Sequence, residues 1–173
     1  MILTAVYLSP WFSWFRNALS DLGVDGIQAV IFNSSLMLGG VLALIFALGL
    51  RRSMNGNMLA DAGAVLLVLS ALFLFSIGLF PETFGRVHFY VSVAFFISAP
   101  LSLLIMGVSM IWRRRVKLGA FTVISGLTAA SIWAIPWSAA AIPEILAAVI
   151  ISLWSITLGL DLLRTAKRAK RSG

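Results

Sequence analysis

The residues that could carry out chemistry are few, and they lie beside apolar runs. His88 is the only histidine in the chain, and Asp21 and Glu82 are the two acids that helix ends explain least well. An imidazole oriented by either carboxylate could act as a general base and activate the Ser20 hydroxyl as a nucleophile. The two acids and the histidine could instead hold a metal ion, with one position left open for water. Both arrangements predict a hydrolase or transferase that acts on lipid head groups.

A second group of polar residues indicates ligand binding without a reaction. Its members flank the same apolar runs: Arg16, Asn17, Asn33 and Arg86. The two arginines would meet an anionic head group, so the favoured prediction is a non-enzymatic protein that binds a lipid or another amphiphile, or supports a partner. For the cluster of polar residues itself, the favoured interpretation is a hydrogen-bonded plug that ties the outer loops together, because such clusters also occur in purely structural networks. A transporter is the least favoured function, because the spans carry no charge at mid-depth.

The composition requires a membrane. Of the 173 residues, 61% are hydrophobic and only 11% are charged, whereas soluble domains are about half apolar and carry roughly 25% charged residues. The charges form short clusters between apolar runs, which is typical of membrane topology and not of a nucleic-acid-binding face. The absence of cysteine excludes disulfides, iron–sulfur clusters and thiolate zinc sites. We therefore predict an integral membrane protein whose partners are membrane lipids and not nucleic acid.

The apolar runs predict an all-α, polytopic helix bundle in a single domain, because backbone groups in lipid must be hydrogen-bonded within their own segment. About 20 helical residues are needed to cross the hydrocarbon. Runs of that length occupy residues 27–50, 58–80, 87–112, 116–136 and 142–163. Segment 1–15 is shorter and contains Pro10, so it is either a shortened sixth span, which is the favoured prediction, or an interfacial segment anchored by Trp11 and Trp14.

The basic residues predict the orientation of these spans. Of the 13 Lys and Arg residues, only Arg16 and Arg86 fall on one side, and the other 11 fall on the opposite side. Positive charge is in excess on the cytoplasmic side of a membrane. The C-terminus, with the basic tail 164–173, is therefore predicted to be cytoplasmic. The predicted outer loops are residues 16–26, 81–86 and 137–143, so the candidate residues lie at the outer level.

Three of the other acids have local explanations at helix ends. Asp25 is predicted to cap the second span. Asp61 lies in the first turn of the third span, behind a predicted Asn57 cap, where the helix dipole favours an anion. Asp161 lies one turn before Arg164 and is predicted to pair with it. These acids are therefore not candidates for the site.

The sixth acid, Glu144, receives the same local explanation. It follows Pro143 at a helix start, where the dipole stabilises a carboxylate. The same Pro-Glu pair occurs at residues 81–82, also at an outer hairpin, which weakly indicates a repeated hairpin. The flanking residues do not support a repeat, so Glu144 is predicted to be structural.

Four motifs, "NALSDLG", "FNSSLMLGG", "GLFPETFGRVH" and "AFFISAP", occur in this order between residues 14 and 112. Their order and spacing resemble an archaeal and bacterial family of small, roughly six-helix membrane proteins of unknown function. That family is in turn distantly similar to the DRAM and Sfk-type membrane proteins, which are associated with lipid handling. The resemblance implies no activity, so the cofactor and the substrate stay unknown, and a homo-oligomer or a membrane protein partner is left open. The motif positions that it implies are Asn17, Ser20, Asp21, Gly23, Asn33, Pro81, Glu82 and His88.

Overall fold

The chain folds as helices joined by short turns. The structure, a computed structural model, describes residues 1–54 and 58–172. Its α-helices are α1 Ile2–Tyr7, α2 Gly26–Ser53, α3 Met58–Leu79, α4 Arg86–Trp112, α5 Val116–Ser131 and α6 Ala141–Ser172. Short 3₁₀ helices occupy Leu19–Gly23, Glu82–Phe84 and Ile132–Ala134. No strand occurs in the described ranges, and the all-α prediction is confirmed. Asn57, the predicted cap of α3, lies outside the described residues.

The five helices α2 to α6 are long and apolar enough to cross a membrane, as predicted. Large apolar side chains such as Ile45, Ile97 and Ile156 are exposed on them, as lipid-facing positions require. The predicted short N-terminal segment is confirmed, and its helix α1 covers six residues of the segment 1–15. Six residues rise only about 9 Å, which is too short to cross a hydrocarbon layer of about 30 Å. At the other terminus, α6 continues as a helix through the residues predicted to be a tail.

Consecutive helices pack side by side, and α2, α3, α4 and α5 make the most extensive contacts. Glycines allow their backbones to approach closely. A Cβ atom at Gly78 of α3 would lie 2.5 Å from the carbonyl oxygen of Asn33 in α2. A Cβ atom at Gly107 of α4 would lie 2.9 Å from the carbonyl oxygen of Gly119 in α5. Such small residues allow the dense contacts that hold helices together in lipid, where no hydrophobic force acts between them.

We call the end of the bundle where α2, α4 and α6 begin the site end, and the opposite end the basic end. The final helix, α6, closes the bundle against α5 and α2. Near its middle, the fully buried Trp154 donates its indole N–H to Thr122 Oγ1 of α5, at 3.1 Å. Around Trp154, apolar side chains of α4 such as Leu103 and Met106 complete a core. Helices α5 and α6 therefore pack closely in the half of the bundle toward the basic end.

The acids near helix ends have two roles. Asp61 and Asp161 form ion pairs at the basic end, and Asp25 caps a helix at the site end. Asp25 caps α2, as predicted, by accepting a hydrogen bond from the Gly26 amide at 2.7 Å. Asp61 lies in the first turn of α3, as predicted, and also pairs with Arg51 at 3.2 Å. Asp161 was predicted to pair with Arg164, but it pairs with Arg115 at the start of α5. Its partner therefore comes from a neighbouring helix rather than from its own next turn.

Candidate functional site

The loop before α2 is held in shape by two of its own polar side chains. Asn17 Oδ1 accepts a hydrogen bond from the Ser13 amide at 2.9 Å. Asp21 Oδ2 accepts bonds from the Asn17 side-chain amide at 2.7 Å and from the Ala18 backbone amide at 3.0 Å. These bonds satisfy donors at the start of the 3₁₀ helix Leu19–Gly23, in the manner of a helix cap. One oxygen of Asp21 is thus committed to the loop.

The same loop docks against the first turn of α6. The Ala141 amide donates to the Asn17 carbonyl oxygen at 3.0 Å. The Leu19 amide donates to Glu144 Oε2 at 2.6 Å. Glu144 does lie in the first turn of a helix, as predicted. Its carboxylate has a second role that the prediction did not contain, because it holds a loop 125 positions earlier in the sequence.

Asn33 fastens the other side of the loop to α2. Its side-chain amide donates to the Gly23 carbonyl oxygen at 2.9 Å. A Cβ atom at Gly23 would lie 2.5 Å from Asn33 Oδ1, so only glycine allows this approach. The neighbouring Leu22 is fully buried. Asn33 is therefore a loop-holding residue in this structure, and the contacts of Asn17 give it the same role.

Glu82 begins the 3₁₀ helix that links α3 to α4 and lies beside the first loop. Burial raises the pKa of its carboxyl above the ordinary value, and a hydrogen bond and charge repulsion from Asp21 raise it further. The Ser20 hydroxyl and the nearby His88 act in the opposite direction. Glu82 Oε2 is buried without a hydrogen-bond partner among the described residues. Arg86, at the start of α4, is exposed and forms no ion pair with Glu82 among the described residues.

His88 is buried in the first turn of α4, and its hydrogen bonds define its tautomer. Nδ1 lies 2.8 Å from the carbonyl oxygen of Phe80. Since a carbonyl only accepts, Nδ1 carries the proton. In the neutral ring, Nε2 is then an acceptor, and the Ser92 hydroxyl lies 3.4 Å from it. The ring is oriented by a backbone carbonyl, whereas the sequence had suggested a carboxylate of Asp21 or Glu82.

A cleft of about 830 Å³ opens along α4 from these polar residues. Its polar end is formed by Ser20, Glu82, His88, Ser92 and Glu144. Its apolar wall follows one face of α4, with further contributions from α5 and the segment after it: Phe89, Val93, Phe96, Ile97, Pro100, Leu101, Leu104, Ala130 and Trp133. The cleft is thus polar at the site end of the bundle and apolar along the rest of its length.

The wall is long on the scale of a membrane leaflet. From Phe89 to Leu104 the helix rises about 22 Å, whereas one leaflet contributes about 15 Å of hydrocarbon. Phe89, Ile97 and Leu101 are exposed, so the cleft is accessible from the side of the bundle. The Trp133 ring packs on Phe96, with centroids 4.6 Å apart, and forms the facing wall near the polar end.

A second cavity of about 240 Å³ lies on the other side of the same polar residues, inside the bundle. It is lined by side chains of α2, α3, α4 and α6, including Phe32, Leu74, Phe95 and Ile151. The residues common to both cavities are Ser20, His88, Ser92, Phe96 and Glu144. The cleft and the inner cavity therefore adjoin at these five residues.

The structure brings together only part of the predicted site. Ser20, Glu82 and His88 line the cleft, and Asp21 lies beside Glu82. The other four candidates do not line either cavity: Asn17 and Asn33 hold the loop, and Arg16 and Arg86 are exposed. Glu144 and Trp133 also line the cleft, and neither was among the predicted site residues. The repeated Pro-Glu pair was the one signal for Glu144, because both copies place a glutamate at the same end of the bundle.

The contacts of Ser20, His88 and the acids describe how the residues predicted to react are arranged. No hydrogen bond joins Ser20 to His88 among the described residues, and both ring nitrogens of His88 already face other groups. A nucleophile and its base should lie within hydrogen-bond reach. In the described ranges, no group of three His, Asp or Glu side chains converges in a way that could hold a metal ion. What the polar residues do provide is a set of hydrogen-bond acceptors at the end of an apolar cleft.

Comparison with known proteins places the chain in a family without assigning an activity. Residues 1–161 match the model of a family described as a protein of unknown function, DUF998. No curated protein and no solved structure matches the chain. The distant similarity to the DRAM and Sfk-type membrane proteins therefore stays a prediction. Because the match covers nearly the whole chain, the protein belongs to the DUF998 family.

Proposed function

We propose that this protein binds an amphiphilic lipid in the cleft along α4, with the head group at the polar end and the alkyl chain on the apolar wall. The observation that carries the proposal is the cleft of about 830 Å³, which is polar at one end and apolar along the rest. Ligand pockets of roughly 300–1,000 Å³ are typical of sites for small molecules. The cleft is thus large enough for most of an amphiphile.

The environment of the cleft supports lateral entry from the membrane. Phe89, Ile97 and Leu101 are both exposed and part of the wall, so an alkyl chain reaches the cleft without leaving the hydrocarbon. An alkyl chain that moves from lipid to protein gains no hydrophobic free energy, since both surroundings are apolar. Selectivity must therefore arise at the polar end, where Glu82, His88 and Glu144 lie.

The proposed leaflet follows from the charge pattern. The arginine and lysine clusters lie at the basic end, which the positive-inside rule assigns to the cytoplasm. The polar end of the cleft then faces outward, and the bound lipid belongs to the outer leaflet.

Filling the cleft tests the proposal. Ile97→Trp places a larger side chain in the wall, and we expect it to lower several-fold the amount of lipid that copurifies with the protein, measured by native mass spectrometry. Ile124→Trp is the matched control, because Ile97 is 62% exposed and Ile124 is 61% exposed, but Ile124 lines neither cavity. Equal lipid content in the wild-type protein and in both variants would contradict binding in this cleft.

A further inference from the structure

We infer that the amphiphile bound in this cleft carries a cationic amine, which the carboxylates of Glu82 and Glu144 receive. This inference rests on the proposed function, and it names the class of head group that the polar end selects. It also reverses the expectation from the sequence that Arg16 and Arg86 would meet an anionic head group.

The polar end gathers acids from separate parts of the chain. Glu82 comes from the 3₁₀ helix after α3, and Glu144 comes from the first turn of α6, yet both line the cleft. Asp21, from the first loop, lies beside Glu82, and the charges of the three carboxyl groups act on one another. Three acids held this close repel one another when they are ionised, which a cation between them would relieve.

Among the described residues, no lysine or arginine lines the cleft, and His88 is the one basic side chain at its polar end. The ion pairs of Arg51 with Asp61 and of Arg115 with Asp161 lie at the basic end. Arg16 and Arg86 are near in sequence, but they are exposed and do not line the cleft. An anionic head group in the cleft would face carboxylates, whereas a cationic head group finds complementary charge.

The hydrogen-bonding groups in the cleft are also matched to a donor. Glu82 Oε2 is buried and has no partner among the described residues. Nε2 of His88 is an acceptor when the ring is neutral, and its contact with the Ser92 hydroxyl is long, at 3.4 Å. An ammonium group brings N–H donors and no acceptor, so it satisfies these atoms. A carboxylate or sulfate head group brings only acceptors and leaves them unsatisfied.

The competing occupant is a neutral amphiphile with a hydroxyl head group, which binds when carboxyl groups of the cluster are protonated. A hydroxyl also donates one hydrogen bond, so the unpaired Glu82 oxygen alone does not separate the two occupants. Charge does separate them. Only an ammonium gains from ionised carboxylates, and hydrogen bonds between charged groups are about twice as strong as neutral ones.

The test uses Trp133 as a reporter inside the cleft. Bromine-labelled alkyl chains of equal length, ending in a primary ammonium, a hydroxyl or a carboxylate, are titrated into the protein in nanodiscs, and tryptophan quenching is recorded. The signal from the cleft is the quenching that disappears in Trp133→Phe. Trp137→Phe is the matched control, because Trp137 belongs to the same connection but does not line the cleft. Removal of the Trp137 ring should leave the quenching of Trp133 unchanged.

We expect the ammonium amphiphile to quench Trp133 with an affinity about tenfold higher than the alcohol, and higher still than the carboxylate. Equal affinities of the ammonium and the alcohol would overturn the amine inference while leaving lipid binding intact. No quenching that depends on Trp133 with any of the three chains would overturn both the inference and the proposed function.

A charge variant gives a second, independent measurement. Glu82→Gln keeps the size of the side chain and removes its negative charge, so the preference for the ammonium over the alcohol should fall by about tenfold. Asp61→Asn makes the same change at the basic end and should leave the preference unchanged. Preferences that stay the same in both variants would show that Glu82 does not receive the head group and would overturn its part in the inference.

Discussion

Replacing Glu144 with leucine should release the loop that forms one side of the cleft. The Leu19 amide donates to Glu144 Oε2 at 2.6 Å, and Leu19 itself is only 5% exposed. Water therefore cannot easily take the place of the lost carboxylate. Glu144→Gln is the matched variant, because its side-chain carbonyl oxygen still accepts the bond.

The size of the effect follows from the hydrogen bond. A buried donor left without an acceptor costs about 1–3 kcal/mol, and bonds to charged groups lie toward the upper part of that range. Burial of the Glu144 carboxylate itself costs free energy, so its removal in Glu144→Leu offsets part of this loss. We expect the loop to lose about 2 kcal/mol of local stability in Glu144→Leu and less than about 1 kcal/mol in Glu144→Gln.

Hydrogen exchange at the Leu19 amide measures this change directly. A loss of about 2 kcal/mol corresponds to exchange that is about thirtyfold faster, if the amide exchanges by local opening. Amides within α3 serve as the internal reference and should be unaffected. Exchange at Leu19 that changes by less than about threefold in Glu144→Leu, or equally in both variants, would refute the role of Glu144 in holding the loop.

Two further predictions concern stability. The pKa of Glu82, which faces Asp21, His88 and Glu144, is raised in the folded protein, so the folded state holds this proton more tightly than the unfolded chain does. The stabilisation that protonated Glu82 adds to the free energy of unfolding is therefore fully present below pH 4.5 and is lost as pH rises through the folded pKa. Glu82→Gln should flatten this part of the unfolding free energy measured against pH in detergent, and an unchanged slope would assign it to other groups. Gly78→Ala should destabilise the bundle by about 1–3 kcal/mol, because its Cβ would lie 2.5 Å from the Asn33 carbonyl oxygen. The control Gly49→Ala has no atom within 4 Å and should be neutral or stabilising in denaturant-induced unfolding, so equal losses would contradict the packing argument.

The long helices could be predicted because one physical requirement determines them. A segment that crosses about 30 Å of hydrocarbon needs about 20 apolar residues, and each run of that length became a helix. Segment 1–15 lacked that length, and the helix in it ends at Tyr7. Most helix ends were predicted to within a few residues. The exceptions are α5, which ends at Ser131 and not at residue 136, and α6, which continues into the basic tail, whose composition carries no clear stop signal.

The candidate site could be predicted only in part, because local rules do not contain long-range partners. Asp161 was assigned to Arg164 by helical spacing, yet Arg115 of another helix holds it. Glu144 was assigned to the helix dipole, and nothing in its neighbourhood indicated Leu19. The positions of Ser20, Glu82 and His88 at one level were predictable from the topology. The sequence could not reveal that this level opens into a cleft.

The attachment of α6 determines where the bundle can yield. This helix is held by polar bonds at three levels: Glu144 to Leu19, Trp154 to Thr122, and Asp161 to Arg115. Between the first and second levels α6 borders the inner cavity and packs through Ile151 on apolar side chains of α3 and α4. The neighbouring pairs of helices from α2 through α5, in contrast, meet closely at glycines. We therefore expect mechanical compliance to be greatest in the part of α6 between Glu144 and Trp154, where thermal fluctuation changes the volume of the inner cavity at a lower free energy than unfolding requires.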